Sequence, residues 1–218
     1  MTTSVYFLPG LGADKRLFEK QLQAGLPITI LEWKPPYKNE SIQAYTERMA
    51  ADIPQTDNLI IGGVSLGGIM AIELAKIVKP KKVIIISSVK NRSELSVFYR
   101  FFCYVPVHRL LPDFLFNNMQ IIANIIRPFF GKMEKEETKI FLAMAKDAHP
   151  GFVKWAIDKI INWSNTEIPV PIVHIHGSSD FVFPYRYIKN PITINKGRHL
   201  IIWERPEEIN KLLVEEFK

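Results

Sequence analysis

Short apolar runs recur along the chain. Residues 4–8 (SVYFL), 28–31, 58–62 and 83–87 are brief and rich in β-branched and aromatic side chains. Glycine, proline or polar residues bound them, which is the signature of strands. Two longer apolar-patterned stretches lie between, at 41–53 and 66–78, and predict helices. Ser41 is placed to cap the first, and Pro80 closes the second. Strands that alternate with helices predict a parallel sheet in an α/β fold.

The pattern then changes. From about Lys90 to Thr166 no strand run occurs. Helical spacing covers 94–104, 113–126, 135–148 and 152–162, and Pro106, Pro112, Pro128 and Pro150 fall at or near the breaks. Strand runs resume at 172–175 and 192–194, and a last helix covers 206–217. A block this long is no loop. The expected organisation is a core of residues 1–89 and 167–218, with residues 90–166 inserted as a helical lid or small domain.

Composition narrows the class. The chain has 218 residues, within the reach of one α/β domain, with an ordinary apolar fraction and no repeat. Its net charge of +6 is scattered, and the densest knot, Lys79–Lys82, reads as a solvated turn, so no nucleic-acid partner is expected. Residues 90–132 hold Lys90, Arg92, Arg100, Arg109, Arg127 and Lys132 against Glu94 and Asp113, an excess that favours an acidic moiety on a substrate or carrier. Cys103 stands alone and reads as a small apolar packer, so no intrachain disulfide is expected. The N-terminus lacks a basic segment followed by an apolar stretch, and no apolar run approaches the roughly 18 residues of a membrane span. A cytoplasmic protein without stable membrane insertion is expected. The oligomeric state is not legible.

In open parallel sheets, sites form at the carboxyl ends of strands. After the first strand comes Pro9-Gly10-Leu11-Gly12. After the third comes Gly63-Val64-Ser65-Leu66-Gly67, after the fifth His176-Gly177-Ser178-Ser179-Asp180, and after the sixth Gly197-Arg198-His199. A serine, an aspartate and a histidine thus close three strands in that order. Ser65 alone could be a helix cap, Asp180 a turn residue and His199 a surface residue; their joint placement points to nucleophilic chemistry. A serine on a sharp strand-to-helix turn needs tiny residues two before and two after it, and Gly63 and Gly67 meet that need.

Other titratable residues fit duller roles. His174 and His176 lack a third ligand at metal spacing, so no metal is expected; His174 reads as a strand residue and His176 as a support for the acid turn. His108 and His149 have no evident partner. The pairs Glu136-Glu137, Glu207-Glu208 and Glu215-Glu216 read as solvated helix surface. No dinucleotide or Walker phosphate loop is present, so no cofactor is expected.

Together these motifs resemble the α/β-hydrolase fold almost end to end. Phe7–Gly12 resembles its oxyanion loop, Gly63–Gly67 its nucleophile elbow, His176–Asp180 with Pro184 its acid turn, and Gly197–His199 its histidine loop. Pro9-Gly10 stands where many members have His-Gly. The chain begins at what would be the family's third strand, so the resemblance implies about six strands, mostly or wholly parallel. It implies a triad of Ser65, Asp180 and His199, with an oxyanion hole from the backbone N–H groups of Leu11 and Leu66.

The implied activity is hydrolysis of a small apolar carboxylic ester or thioester through an acyl-enzyme at Ser65. A C–C hydrolase or lyase on the same triad, or a non-catalytic ligand receptor, stays open. The lid aromatics Phe98, Tyr99, Phe101, Phe102, Tyr104, Phe114, Phe116, Phe129, Phe130, Phe141 and Trp155 are expected mostly in the lid's own core, with some facing the cleft.

Overall fold

A computed structural model describes residues 3–104 and 116–218. Residues expected to matter at 105–115, including Pro106, His108, Arg109, Pro112, Asp113 and Phe114, lie outside the described residues. The elements in chain order are β1 (Ser4–Leu8), α1 (Glu19–Gln23), β2 (Ile28–Ile30), α2 (Ile42–Ala50), β3 (Leu59–Val64), α3 (Leu66–Val78) and β4 (Lys82–Ile86). Then come α4 (Val97–Tyr104), α5 (Met119–Ile126), α6 (Lys135–Asp147) and α7 (Pro150–Asn162). The chain closes with β5 (Ile172–Gly177), β6 (Ile192–Ile194), α8 (Ile201–Glu204) and α9 (Pro206–Glu216).

The six strands form one sheet in the order β2-β1-β3-β4-β5-β6, and every pair is parallel. Strand side chains alternate between faces. Leu8, Ile61, Val83 and Ile85 pack on one face with α2, α3 and α7. Val5, Phe7, Ile60, Ile84 and Ile86 pack on the other, where Phe18, Ile201 and Ile209 meet them. Both faces are covered, as an all-parallel sheet requires. The near-continuous isoleucine runs of β3 and β4 follow from that double burial.

α3 begins directly on β3 and lies deep in the molecule; even Glu73 is buried. Its carboxylate is satisfied by Lys76 Nζ at 2.9 Å and by the Trp163 indole N–H at 2.8 Å. Among the inserted helices, α7 packs on the core through aromatic contacts. Phe152 stacks on Trp33 at 4.9 Å between ring centroids, and Trp155 lies 4.5 Å from Tyr45. The Trp155 indole also donates to the Glu40 carbonyl (2.8 Å).

Several expectations need correction. The 3-10 turn and α1 at 15–23, and α8 directly after His199, were not anticipated. Glu137 is not solvated: it ion-pairs with Lys20 and accepts the Glu134 N–H at 2.8 Å in a capping box at the start of α6. Glu216 pairs with Lys82 at 2.8 Å. His149 has a partner, since its Nδ1 accepts the Phe152 N–H and caps α7. Phe98, Phe101, Tyr104 and Phe129 are exposed rather than packed in a lid core. No helix among the described residues is long and apolar enough to cross a membrane.

Candidate active site

The turn from β3 into α3 sets the geometry. Ser65 sits at φ 55°, ψ −119°, a conformation that L residues rarely adopt. Bonds at both its N–H and its carbonyl hold it there. Its N–H donates to Ile86 O at 2.9 Å, and its carbonyl accepts from Ser88 Oγ at 2.7 Å and from the Gly68 N–H at 3.0 Å. The turn closes only because two neighbours lack side chains. A Cβ on Gly63 would lie 2.2 Å from the Gly67 carbonyl, and one on Gly67 would lie 2.2 Å from Leu8 O. Ser65 does not cap the helix with its side chain. Its hydroxyl points elsewhere.

That hydroxyl donates to His199 Nε2 at 2.9 Å. On the other side of the ring, His199 Nδ1 lies 2.8 Å from Asp180 Oδ2. A carboxylate only accepts, so the proton belongs on Nδ1, and Nε2 is left as the acceptor facing Ser65. His199 and Asp180 are buried, and the edge-on rings of Phe130 (5.2 Å) and Phe183 (5.7 Å) hold the imidazole. The three residues proposed from the sequence thus form one hydrogen-bonded line.

Asp180 is itself held by three donors, with a fourth nitrogen close by. Oδ1 accepts the N–H groups of Val182 (2.8 Å) and Phe183 (2.9 Å). Oδ2 accepts from His199 and faces His176 Nε2 at 3.3 Å. His176 Nε2 also lies 2.9 Å from the Phe183 carbonyl, which makes it the protonated nitrogen. Behind it, His174 Nε2 meets Ser88 O at 3.1 Å and His176 Nδ1 at 3.2 Å. The Ser88 carbonyl accepts only, so His174 Nε2 carries its proton and His176 Nδ1 accepts. Burial pushes His174 down to about 2, helped by His176 beside it, and lowers His176 as well. Both are neutral. This arrangement is richer than the strand residue and turn support expected, because sequence spacing does not show that alternate residues of one strand end stack against the acid.

The segment after β1 faces the same point. The Gly10 carbonyl accepts the Ala13 N–H (3.1 Å) and the Trp33 indole N–H (3.2 Å), which fixes the loop. The Leu11 N–H has no acceptor among the described residues. The Leu66 N–H opens α3 and has no intrahelical acceptor. Leu11, Ser65 and His199 line one cavity of about 210 Å³. Its far wall comes from the inserted helices: Tyr99, Met119, Ile126, Phe130, Phe141 and Met144.

The basic residues of 90–132 do not form that wall among the described residues. Arg92 donates to the Trp163 carbonyl, Lys90 bonds the Lys189 carbonyl, and Arg127 donates to Thr138. The expected cationic contact to an acidic substrate is absent there. Of the lid aromatics in the described residues, Tyr99, Phe130 and Phe141 reach the cavity.

No protein-family model matches the sequence, and no curated protein matches it. Solved structures match over nearly the whole chain. MenH from S. aureus is similar with a TM-score of 0.78 at 16% identity, covering 99% of this chain and 93% of that one. The enol-lactonase from Burkholderia xenovorans LB400 gives 0.70 at 17%, covering 99% and 91%. A thermophilic esterase from Thermogutta terrifontis gives 0.66 at 17%, covering 98% and 90%.

Proposed function

The chain has the α/β-hydrolase fold, and from that premise we propose that it is a serine hydrolase acting on a small apolar carboxylic ester or thioester. The observation that carries this reading is the line Ser65 Oγ–His199 Nε2–Asp180, with contacts of 2.9 and 2.8 Å. Ser65 attacks the acyl carbon. His199 takes the serine proton at Nε2 and delivers it to the leaving oxygen or sulfur. Asp180 holds the tautomer and stabilises the imidazolium.

The Leu11 and Leu66 N–H groups receive the developing oxyanion, each worth roughly 3–4 kcal/mol in comparable sites. Residues 90–166 act as a lid over the core formed by residues 1–89 and 167–218. The support for this role is that α4, α5, α6 and α7 all contribute to the cavity wall. An apolar wall takes the acyl group, and a water that gives its proton to His199 Nε2 then attacks the acyl-enzyme, releasing the acid and returning the proton to Ser65 Oγ.

The test is hydrolysis of p-nitrophenyl esters of graded chain length by wild type and Ser65→Ala. We expect turnover by the wild type and a loss of about 10³-fold or more in kcat for the variant. Negligible wild-type turnover across the series would sink the esterase reading. Its chain-length optimum would size the acyl site.

A further inference from the structure

The cavity beside Ser65 and His199 is built almost wholly from groups that cannot hydrogen-bond through their side chains. Among the described residues its other lining is glycine, alanine, valine, leucine, isoleucine, methionine and phenylalanine, with one exception. That exception is Tyr99, on α4. Its ring packs 5.6 Å from Phe183, which in turn packs on His199. The Tyr99 hydroxyl has no hydrogen-bond partner among the described residues. Burial, with the Asp180 carboxylate nearby, pushes the phenol up to about 12, so it stays protonated and can donate.

The contrast with Tyr45 is informative. That residue is fully buried in the core, and its hydroxyl is satisfied twice, donating to the Lys34 carbonyl at 2.8 Å and accepting the Lys34 N–H at 3.0 Å. The fully buried core tyrosine is thus paired on both sides. Tyr99 is half-buried and, apart from Ser65 and His199, is the one side chain among the described lining residues that can hydrogen-bond, where phenylalanine would supply the same apolar surface. A ligand acceptor would give that hydroxyl a partner inside the cavity.

We propose that Tyr99 is a substrate-binding residue whose hydroxyl donates to an oxygen acceptor, such as a ketone, ether or hydroxyl, on the acyl part of the substrate. This rests on the hydrolase reading for the word acyl but not for the contact itself. The natural acyl group is then an oxygenated, otherwise apolar chain rather than a plain hydrocarbon. A site built around one hydrogen bond discriminates strongly against analogues that lack the acceptor.

The test separates binding from turnover. In the Ser65→Ala protein, affinities are measured by calorimetry for N-ethylhexanamide and its ketones, with the carbonyl moved along the chain. We expect at least one ketone to bind tenfold or more tighter than the parent amide. In the Ser65→Ala/Tyr99→Phe protein that ratio should collapse to about one. The proposal is overturned if no ketone outbinds the parent, or if the preference survives Tyr99→Phe.

Should the double variant not fold, the ketone series in Ser65→Ala alone decides, since absence of any preference rejects the proposal and a tenfold preference supports it. The matching ethyl esters are run with wild type alongside. Tyr99-dependent binding without ester turnover would defeat the hydrolase reading and leave this one standing. Ester turnover without any ketone preference would do the reverse.

Discussion

His176 shows how much of the candidate site depends on a residue that touches no substrate. Its Nε2–H lies against both the Phe183 carbonyl and Asp180 Oδ2, and its Nδ1 receives the proton-bearing nitrogen of His174. It therefore fixes the acid turn through the Phe183 carbonyl, while the Val182 and Phe183 N–H groups hold Asp180 itself. We expect His176→Phe to lower kcat by about tenfold while KM moves little, because the change acts through Asp180 on a transition-state interaction. Loss of its buried bonds should also cost about 1–3 kcal/mol. Ester kinetics and urea unfolding on the same preparation check both. A proportionate rise in KM with unchanged kcat would show that His176 shapes the cavity instead.

At the scale of elements, α7 couples the inserted helices to the loop that carries Leu11. Phe152 stacks on Trp33, and the Trp33 indole holds the Gly10 carbonyl, one residue before Leu11. Phe152 is buried, so Phe152→Ala should destabilise the protein by about 3–5 kcal/mol. Under conditions where the variant is still folded, kcat/KM should fall as well, because the loop proposed to supply the Leu11 N–H to the oxyanion loses its brace. Urea unfolding and ester kinetics measure the two effects.

Much of this scale was legible in advance. All six strands and the span of α3 followed from short β-rich runs and from the glycines around Ser65. The three strand-end residues were legible because the parallel topology places such ends together. What stayed hidden has physical causes. α8 follows His199 in the uniformly apolar stretch Leu200-Ile201-Ile202-Trp203, where no polar alternation reveals a period. α4 is apolar on both sides, so spacing could not tell Tyr99, which reaches the cavity, from Phe98 and Phe101, which face solvent. The paired roles of His149 and Glu137 depend on partners that only the turn or the tertiary structure brings near.

For the whole molecule, buried neutral histidine makes stability depend on pH. His174 has an ordinary value of 6.5 that burial lowers to about 2 in the folded state. The unfolded chain therefore binds more protons between those values. The stabilisation is fully present above 6.5 and is lost as pH falls below it. From about pH 7 to about pH 5 this residue alone should remove about 2 kcal/mol, and His176 acts in the same direction. The lowered carboxyl groups of Asp14 and Glu40 respond only at more acid pH, below their ordinary values of 3.8 and 4.5. Urea unfolding at the two pH values should show the drop, and His174→Leu should flatten it. An equally steep fall in that variant would remove His174 as the cause.

The strand order also dictates a sequence of assembly. β4, β5 and β6 join the sheet one outside the other, in the order in which a ribosome makes them. Between the end of β4 and the start of β5 the whole of residues 87–171 must emerge, on the order of ten seconds at roughly 5–20 residues per second. For that interval the β4 edge, with its isoleucines, is an open template for foreign strands. A nascent chain of this protein therefore spends its most vulnerable period with Ser65 already made and its two partners still unsynthesised. Its need for a chaperone should be greatest there.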